Sequence, residues 1–304
     1  MSKAIGFFEP GGPEVLQLID VEGPQAGPGQ VRIRVKAAGV QPYDVAVVEG
    51  WIPAGVNPGF PRIPGNEFAG LVDSVGEGVT GFSPGDEVLG YGQLNCYAED
   101  LVVPADQITG KPHNMPWDVA GGFPAGALNA HVALQELGVG TGETVLIHGA
   151  AGAVGTIAVQ LARLWGATVI AAAREAQHDY LRSLGALPVA YVDGFAGRVR
   201  ALAPKGVDAS LDGVGGDALD ATLEFVKDRG RILTLVEHGR ARELGIRTNP
   251  HKRSAARLAE LADLYAQGKL TVHVRETFPL FRAADALRAY KAGNSRGKIV
   301  ILVD

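Results

Sequence analysis

Hydrophobic and polar positions divide the 304-residue chain into two unlike parts. Up to about residue 120, short β-branched or alternating runs recur between glycines and prolines, at 3–8, 31–38, 67–75, 87–91 and 98–103. Residues 23–29 add clear turn chemistry, and the pattern predicts a β-rich, barrel-like unit. Helical spacing takes over at 118–126 and 127–137. Beyond 143, apolar strand-like runs alternate with helical ones: strands at 143–147, 167–173, 189–193, 207–212 and 231–236, with helices from 153, 176, 195 and 218. Val145, Leu146 and Ile147 follow one another without polar alternation, as in a strand covered on both faces. The α/β alternation predicts a doubly wound parallel sheet with its ligand at the carboxyl ends of the strands. A helix at 254–267, a strand at 270–274, a helix at 283–292 and a closing strand at 297–303 complete the chain. These last elements carry too little apolar surface to stand alone and should pack back onto the rest. The expected division is 1–120, β-rich; 121–248, doubly wound; and 249–304, a segment that returns to the first unit and closes its sheet.

The stretch His148-Gly149-Ala150-Ala151-Gly152-Ala153-Val154-Gly155 sits between the first of the parallel strands and its helix. Glycines three residues apart let the backbone turn tightly, approach a ligand closely and lay the helix against the sheet. The first helical N–H groups and the helix dipole then favour a pyrophosphate over Ala151, Gly152, Ala153 and Val154. With a second strand after Gly166, the βαβ unit predicts a bound dinucleotide.

Composition agrees: 42 glycines demand many tight turns, and 46% apolar residues are ample for large cores. A net charge of -5 without a basic run gives nucleic acid no footprint. No apolar run reaches the length of a membrane span and the N-terminus lacks a signal core, so a cytoplasmic protein is expected. The single cysteine, Cys96, excludes an intrachain disulfide and a multi-thiolate zinc site; it reads as a small buried filler. The histidines show no metal-ligand spacing.

Several motifs in order carry a family resemblance: Ala38-Gly39-Val40-Gln41-Pro42-Tyr43-Asp44, Pro64-Gly65-Asn66-Glu67-Phe68-Ala69-Gly70 with Val75-Gly76 and Gly85-Asp86, the glycine turn, Leu211-Asp212-Gly213-Val214-Gly215-Gly216, and Arg296-Gly297-Lys298-Ile299-Val300. Over essentially its whole length the chain resembles the medium-chain dehydrogenase/reductase superfamily, and within it the zinc-free quinone oxidoreductase branch. The resemblance implies a GroES-like catalytic domain and a Rossmann cofactor domain. Zinc alcohol dehydrogenases of this superfamily carry a ligand Cys where this chain has Gln41 and a ligand His where it has Asn66. A neutral amide is a poor zinc ligand, so no catalytic metal is expected. Glu67 is then expected to be structural, a carboxylate hydrogen-bonded inside the cleft. Without a Lewis acid for alcohol oxidation, the implied reaction is reduction of a quinone or an enone, small molecules that already delocalise the incoming charge.

The second strand ends in Ala171-Ala172-Ala173 where NAD-binding sites place an acid, and Arg174 follows with His178 one turn on. A guanidinium fork suits the extra phosphate, which favours NADPH, although Glu175 pulls the other way and Arg174 also reads as a solvated helix-start residue. The resemblance further implies Gln41, Pro42 and Asn129 near the nicotinamide, Gly213, Val214 and Val236 along the strand ends, and Lys298 from the tail. Gln41 and Asn129 depart from the residues usual at those places. Enoyl reductases and many quinone reductases of this superfamily have a tyrosine where this chain has Ile52, leaving Tyr43 as candidate proton donor or as a packing residue; Asp44 reads as a turn or cap residue. Trp51, Pro53, Phe60 and Pro61 either wall an apolar pocket or pack their own loop. An NADPH-dependent quinone reductase, an enone or enoyl reductase of a biosynthetic pathway, and an NADPH-binding protein without efficient turnover therefore stay open, as do monomer and homodimer.

Overall fold

The computed structural model describes residues 1–191, 194–293 and 296–303. The first part holds β1 (Ser2–Gly6), β2 (Gln17–Val21), β3 (Gln30–Val40), α1 (Pro42–Val48), β4 (Glu67–Val75), β5 (Glu87–Tyr91), β6 (Asp100–Pro104) and β7 (Ile108–Gly110). Then come α2 (Trp117–Gly122), α3 (Pro124–Glu136), β8 (Thr144–His148), α4 (Ala153–Leu164), β9 (Thr168–Ala172), α5 (His178–Ser183), β10 (Leu187–Val189) and α6 (Phe195–Leu202). The sheet continues through β11 (Ala209–Asp212), α7 (Gly216–Phe225), β12 (Ile232–Thr234), α8 (His238–Leu244) and β13 (Arg247–Thr248). Last are α9 (Ala255–Ala266), β14 (Val274–Pro279), α10 (Ala283–Lys291) and β15 (Lys298–Leu302).

Six strands form an all-parallel sheet in the order β10-β9-β8-β11-β12-β13. Its two faces explain the unbroken apolar runs. Val145 and Ile147 of β8 join Val169, Ala171 and Leu211 in one core, while Leu146, Ile170 and Ile232 point into another on the opposite face. Strand order reverses between β8 and β11, so a crevice opens beyond their carboxyl ends.

The second sheet runs β14-β15-β3-β4-β5-β7, with β6 also on β3. The tail enters it directly: β15 lies antiparallel to β3, with Ile299 opposite Val40 and Ile301 opposite Ala38. Helix α9 instead sends Leu258 and Leu261 into the core beneath the parallel sheet.

Three expectations need correction. The strand foreseen at 270–274 lies at Val274–Pro279, where it pairs parallel with β15; Leu270 is buried and Val272 packs on the core without a ladder partner in a named strand. The strand foreseen at 189–193 is Leu187–Val189; Pro188 fits because β10 is an edge strand that does not need every N–H, and Val192 and Asp193 lie outside the described residues. The helical stretch from 118 breaks at Phe123-Pro124 into α2 and α3 rather than at 126–127. Among the described residues no helix is long and apolar enough to cross a membrane.

Candidate functional site

The glycine turn stands at the carboxyl end of β8, against the loop that follows β11. Gly149 adopts φ +68°, and Gly152 precedes α4 without any side-chain cap. The first-turn N–H groups of α4 are therefore left for a ligand, which a pyrophosphate fits. Gly155 is required by packing: a Cβ there would stand 2.3 Å from the Gly149 carbonyl oxygen. Gly152 is looser, its Cβ position lying 3.2 Å from the same oxygen. These residues fit a dinucleotide.

His148, just before the turn, is buried and stacked on Tyr191 at 5.8 Å. The Thr222 hydroxyl donates to the Ala218 carbonyl, so at 2.6 Å His148 Nε2 is the donor to Thr222 Oγ1. Burial holds the imidazole pKa down at about 4. Tyr191, which sequence reasoning did not single out, ties the turn to the second strand. Its hydroxyl accepts the Gly149 N–H at 2.9 Å and donates to the Ala172 carbonyl at 3.0 Å. Ala173 is buried at the end of β9, Arg174 projects into solvent beside it, and His178 opens α5.

Asp212, quoted in a motif but given no role from the sequence, organises the loops carrying Gly213, Val214 and Val236. Asp212 is fully buried; its Oδ1 accepts the N–H groups of Val214 and Gly215, both at 2.9 Å, and Oδ2 accepts the Thr234 hydroxyl at 2.7 Å. Thr234 Oγ1 in turn accepts the N–H groups of Val236 and Glu237. One carboxylate thus holds both loops, and Val214 and Val236 expose 50% and 46% of themselves at the mouth of the crevice. Leu211-Asp212-Gly213 was visible in the sequence, but Thr234 carried no signal.

Opposite lie the side chains of the other sheet. Gln41 Nε2 donates to Asn66 Oδ1 at 2.6 Å, so the two amides satisfy one another. Pro42 opens α1 and Tyr43 follows it, edge-on to Trp51 at 5.1 Å. Burial pushes the Tyr43 hydroxyl up to about 12, the Asp44 charge adding to it. Asp44 caps α1: Oδ2 accepts the Gln41 N–H and the Tyr97 hydroxyl, both at 2.9 Å, and Oδ1 the Gly65 N–H at 3.2 Å. Burial nevertheless pushes its carboxyl up to about 7. Phe60 packs edge-on against Phe7 at 5.7 Å.

Glu67 and Lys298 are both buried. Glu67 Oε2 accepts the Ala125 N–H at 2.8 Å, and Lys298 Nζ donates to Glu67 Oε1 and to the Val40 carbonyl. The Lys298 ammonium is therefore held in an internal ion pair. Asn129, on α3, turns its Oδ1 to Asn249 Nδ2 at 3.2 Å and to Arg253 Nη2 at 3.3 Å. Arg253 is a further residue that sequence reasoning missed. Among the described residues no group of three or more His, Cys, Asp or Glu side chains is placed to hold a metal ion.

The alcohol dehydrogenase GroES-like domain model matches residues 27–140, and the zinc-binding dehydrogenase model residues 184–301. The structure of the quinone oxidoreductase from Coxiella burnetii superposes with a TM-score of 0.90 at 30% identity, covering 100% of this chain and 99% of that one. That from Pseudomonas syringae gives 0.88 at 30%, over 99% and 100%. A pikromycin polyketide synthase component of Streptomyces venezuelae is 33% identical over 90% of this chain, which spans only 8% of that protein's length. The chain belongs to the medium-chain dehydrogenase/reductase superfamily, whose members bind a nicotinamide cofactor.

Proposed function

We propose that this chain reduces a quinone, or a similarly electron-poor acceptor, with NADPH and without zinc. The observation that carries the reading is the Gln41 to Asn66 hydrogen bond of 2.6 Å. Two neutral amides closed on each other replace a thiolate and an imidazole, leaving no strong ligand pair for zinc at those positions. The quinone oxidoreductase names of two solved relatives support the acceptor class. Bound NADPH supplies the hydride.

The chain's own residues hold and shield. N–H groups of Ala151, Ala153 and Val154 bind the pyrophosphate, Gly152, whose own N–H donates to the Gly149 carbonyl at 2.9 Å, lets it come close, and Gly213, Val214 and Val236 line the loops above it. Arg174 and His178 receive the extra phosphate, with alanine rather than an acid beside them. Gln41, Pro42 and Asn129 stand at the nicotinamide end. Lys298 acts at one remove, by fixing Glu67 and so the α3 N-terminus. Tyr43 places a hydroxyl proton near the acceptor, and Trp51 excludes water from it.

A second reading is enone or enoyl reduction, favoured by the polyketide synthase relative at 33% identity. Against it, Ile52, 42% exposed, stands where the resemblance puts a tyrosine proton donor. Steady-state oxidation of NADPH and NADH with a quinone panel and an enone panel separates the two. Turnover of quinones, faster with NADPH, is expected; turnover of enones alone selects the second reading. Tight NADPH binding with neither activity would leave a cofactor-binding protein.

A further inference from the structure

Arg253 comes from the segment after β13 and stands immediately before Ser254, whose Oγ accepts the Arg257 N–H to cap α9. Its guanidinium nevertheless turns back between the two sheets. Nη2 reaches Asn129 at 3.3 Å, and the group lies 6.0 Å from the centre of the Tyr91 ring. Glu67 and the phenols of Tyr43 and Tyr91 are within its electrostatic reach, and burial lowers its pKa.

The charges around it do not cancel. Glu67 is matched by Lys298, and Asp44 is pushed towards neutrality by burial. None of the ion pairs among the described residues includes Arg253. One positive charge is thus left over in the cleft, with a single neutral amide oxygen as its side-chain hydrogen-bond partner among the described residues. Arg253 is half-buried, and the N–H groups that Asn129 leaves uncommitted keep access to the cleft, where an oxygen ligand can take them.

We propose that Arg253 binds the carbonyl oxygen of the acceptor and selects acceptors whose oxygen gains or carries negative charge; this rests on the reductase reading above. The C–H bond of the reduced nicotinamide breaks with its electron pair going to the acceptor carbon β to the carbonyl. The acceptor C=C pair shifts towards the carbonyl carbon and the carbonyl π pair moves onto oxygen, and the nicotinamide is left oxidised; in a quinone the new sp3 carbon then loses a proton to solvent as the second oxygen gains one, which gives the hydroquinone. The oxygen then takes a proton from the Tyr43 hydroxyl, which solvent reprotonates. Arg253 stays charged throughout, so it stabilises the oxygen without giving up a proton.

The test compares Arg253→Met, Arg253→Lys and Arg253→Ala with the parent enzyme, each checked for an unchanged melting temperature. Arg253→Met should lower kcat/KM for 1,4-benzoquinone by about 10- to 100-fold, with NADPH affinity within about twofold, and Arg253→Lys should recover part of the loss. Millimolar guanidinium ion should restore activity to Arg253→Ala where sodium chloride does not. Parental kcat/KM in Arg253→Met would overturn the proposal. So would a parallel loss of NADPH affinity without guanidinium rescue, which marks a mere tie to Asn129. A second readout needs no turnover: calorimetric titration of cofactor-free protein with anionic 2-hydroxy-1,4-naphthoquinone and neutral 1,4-naphthoquinone. The anion should bind more tightly to the parent and lose that advantage in Arg253→Met; equal preference in both proteins would overturn the assignment. A parent inert towards every acceptor would sink the reductase reading, while the titration still decides Arg253.

Discussion

Lys298 and Glu67 meet through their charged ends at 2.5 Å although 231 residues separate them in the chain. The contact joins the last strand to the start of β4, and the other Glu67 oxygen carries it on to Ala125 at the start of α3. Removing one partner leaves the other charge buried and alone. Lys298→Met should therefore cost about 3–5 kcal/mol of stability, read as a lowered urea midpoint. The double variant with Glu67→Gln should regain much of it. A midpoint within error of the parent for Lys298→Met would show that the pair holds nothing together.

Gly155 and Gly152 separate folding from binding in the glycine turn. At Gly155 a methyl group meets backbone, the Gly149 carbonyl oxygen at 2.3 Å, so Gly155→Ala should destabilise the protein by about 1–3 kcal/mol. At Gly152 the same oxygen is 3.2 Å away and φ is -76°, so Gly152→Ala should fold almost normally and weaken NADPH binding instead. Thermal unfolding and a cofactor titration of both variants check the split. Identical behaviour of the two would contradict it.

Two buried groups give the stability opposite pH slopes. The His148 pKa falls to about 4 from 6.5, so the unfolded chain binds more protons in that window. Its contribution is complete above the unfolded value and is lost as pH falls, by about 2 kcal/mol between about pH 7 and pH 5. Asp44 runs the other way: raised to about 7 from 3.8, it stabilises fully at low pH and loses that contribution as pH rises through 7. Asp44→Asn should steepen the acid loss and His148→Gln should flatten it, in denaturation midpoints taken across that range. Parallel curves for parent and both variants would mean that neither group titrates as described.

Arg174 is solvent-exposed at the end of β9, with no acid at the buried alanines before it. Arg174→Ala should weaken NADPH binding about 10- to 100-fold and leave NADH within about twofold. Equal losses for both cofactors, measured by fluorescence titration, would remove the phosphate role.

The parallel sheet was legible because β8, β9 and β11 are short apolar runs followed by helical spacing, β8 and β11 closing on Gly149 and Gly213. The segment after Leu270 was not. Arg275, Glu276 and Thr277 of β14 lie on an edge strand, and Glu276 and Thr277 face solvent, so no apolar period marks it. Leu270 looks like strand and is only core filler. β13 is two exposed residues long and α1 only seven residues long, too little pattern for either to be seen. In the site, the glycine turn announces itself through local spacing. Gln41 with Asn66, Asp212 with Thr234, and Asn129 with Arg253 are pairings across 25, 22 and 124 residues, which only the fold brings together.

The most direct measurement is NADPH consumption with 1,4-benzoquinone by protein stripped of metal with a strong chelator. Turnover at the rate of untreated protein is expected, with no gain on adding zinc and a slower rate with NADH. Activity that vanishes on chelation and returns with zinc would contradict it, because Gln41 and Asn66 would then stand beside a metal that the chemistry needs.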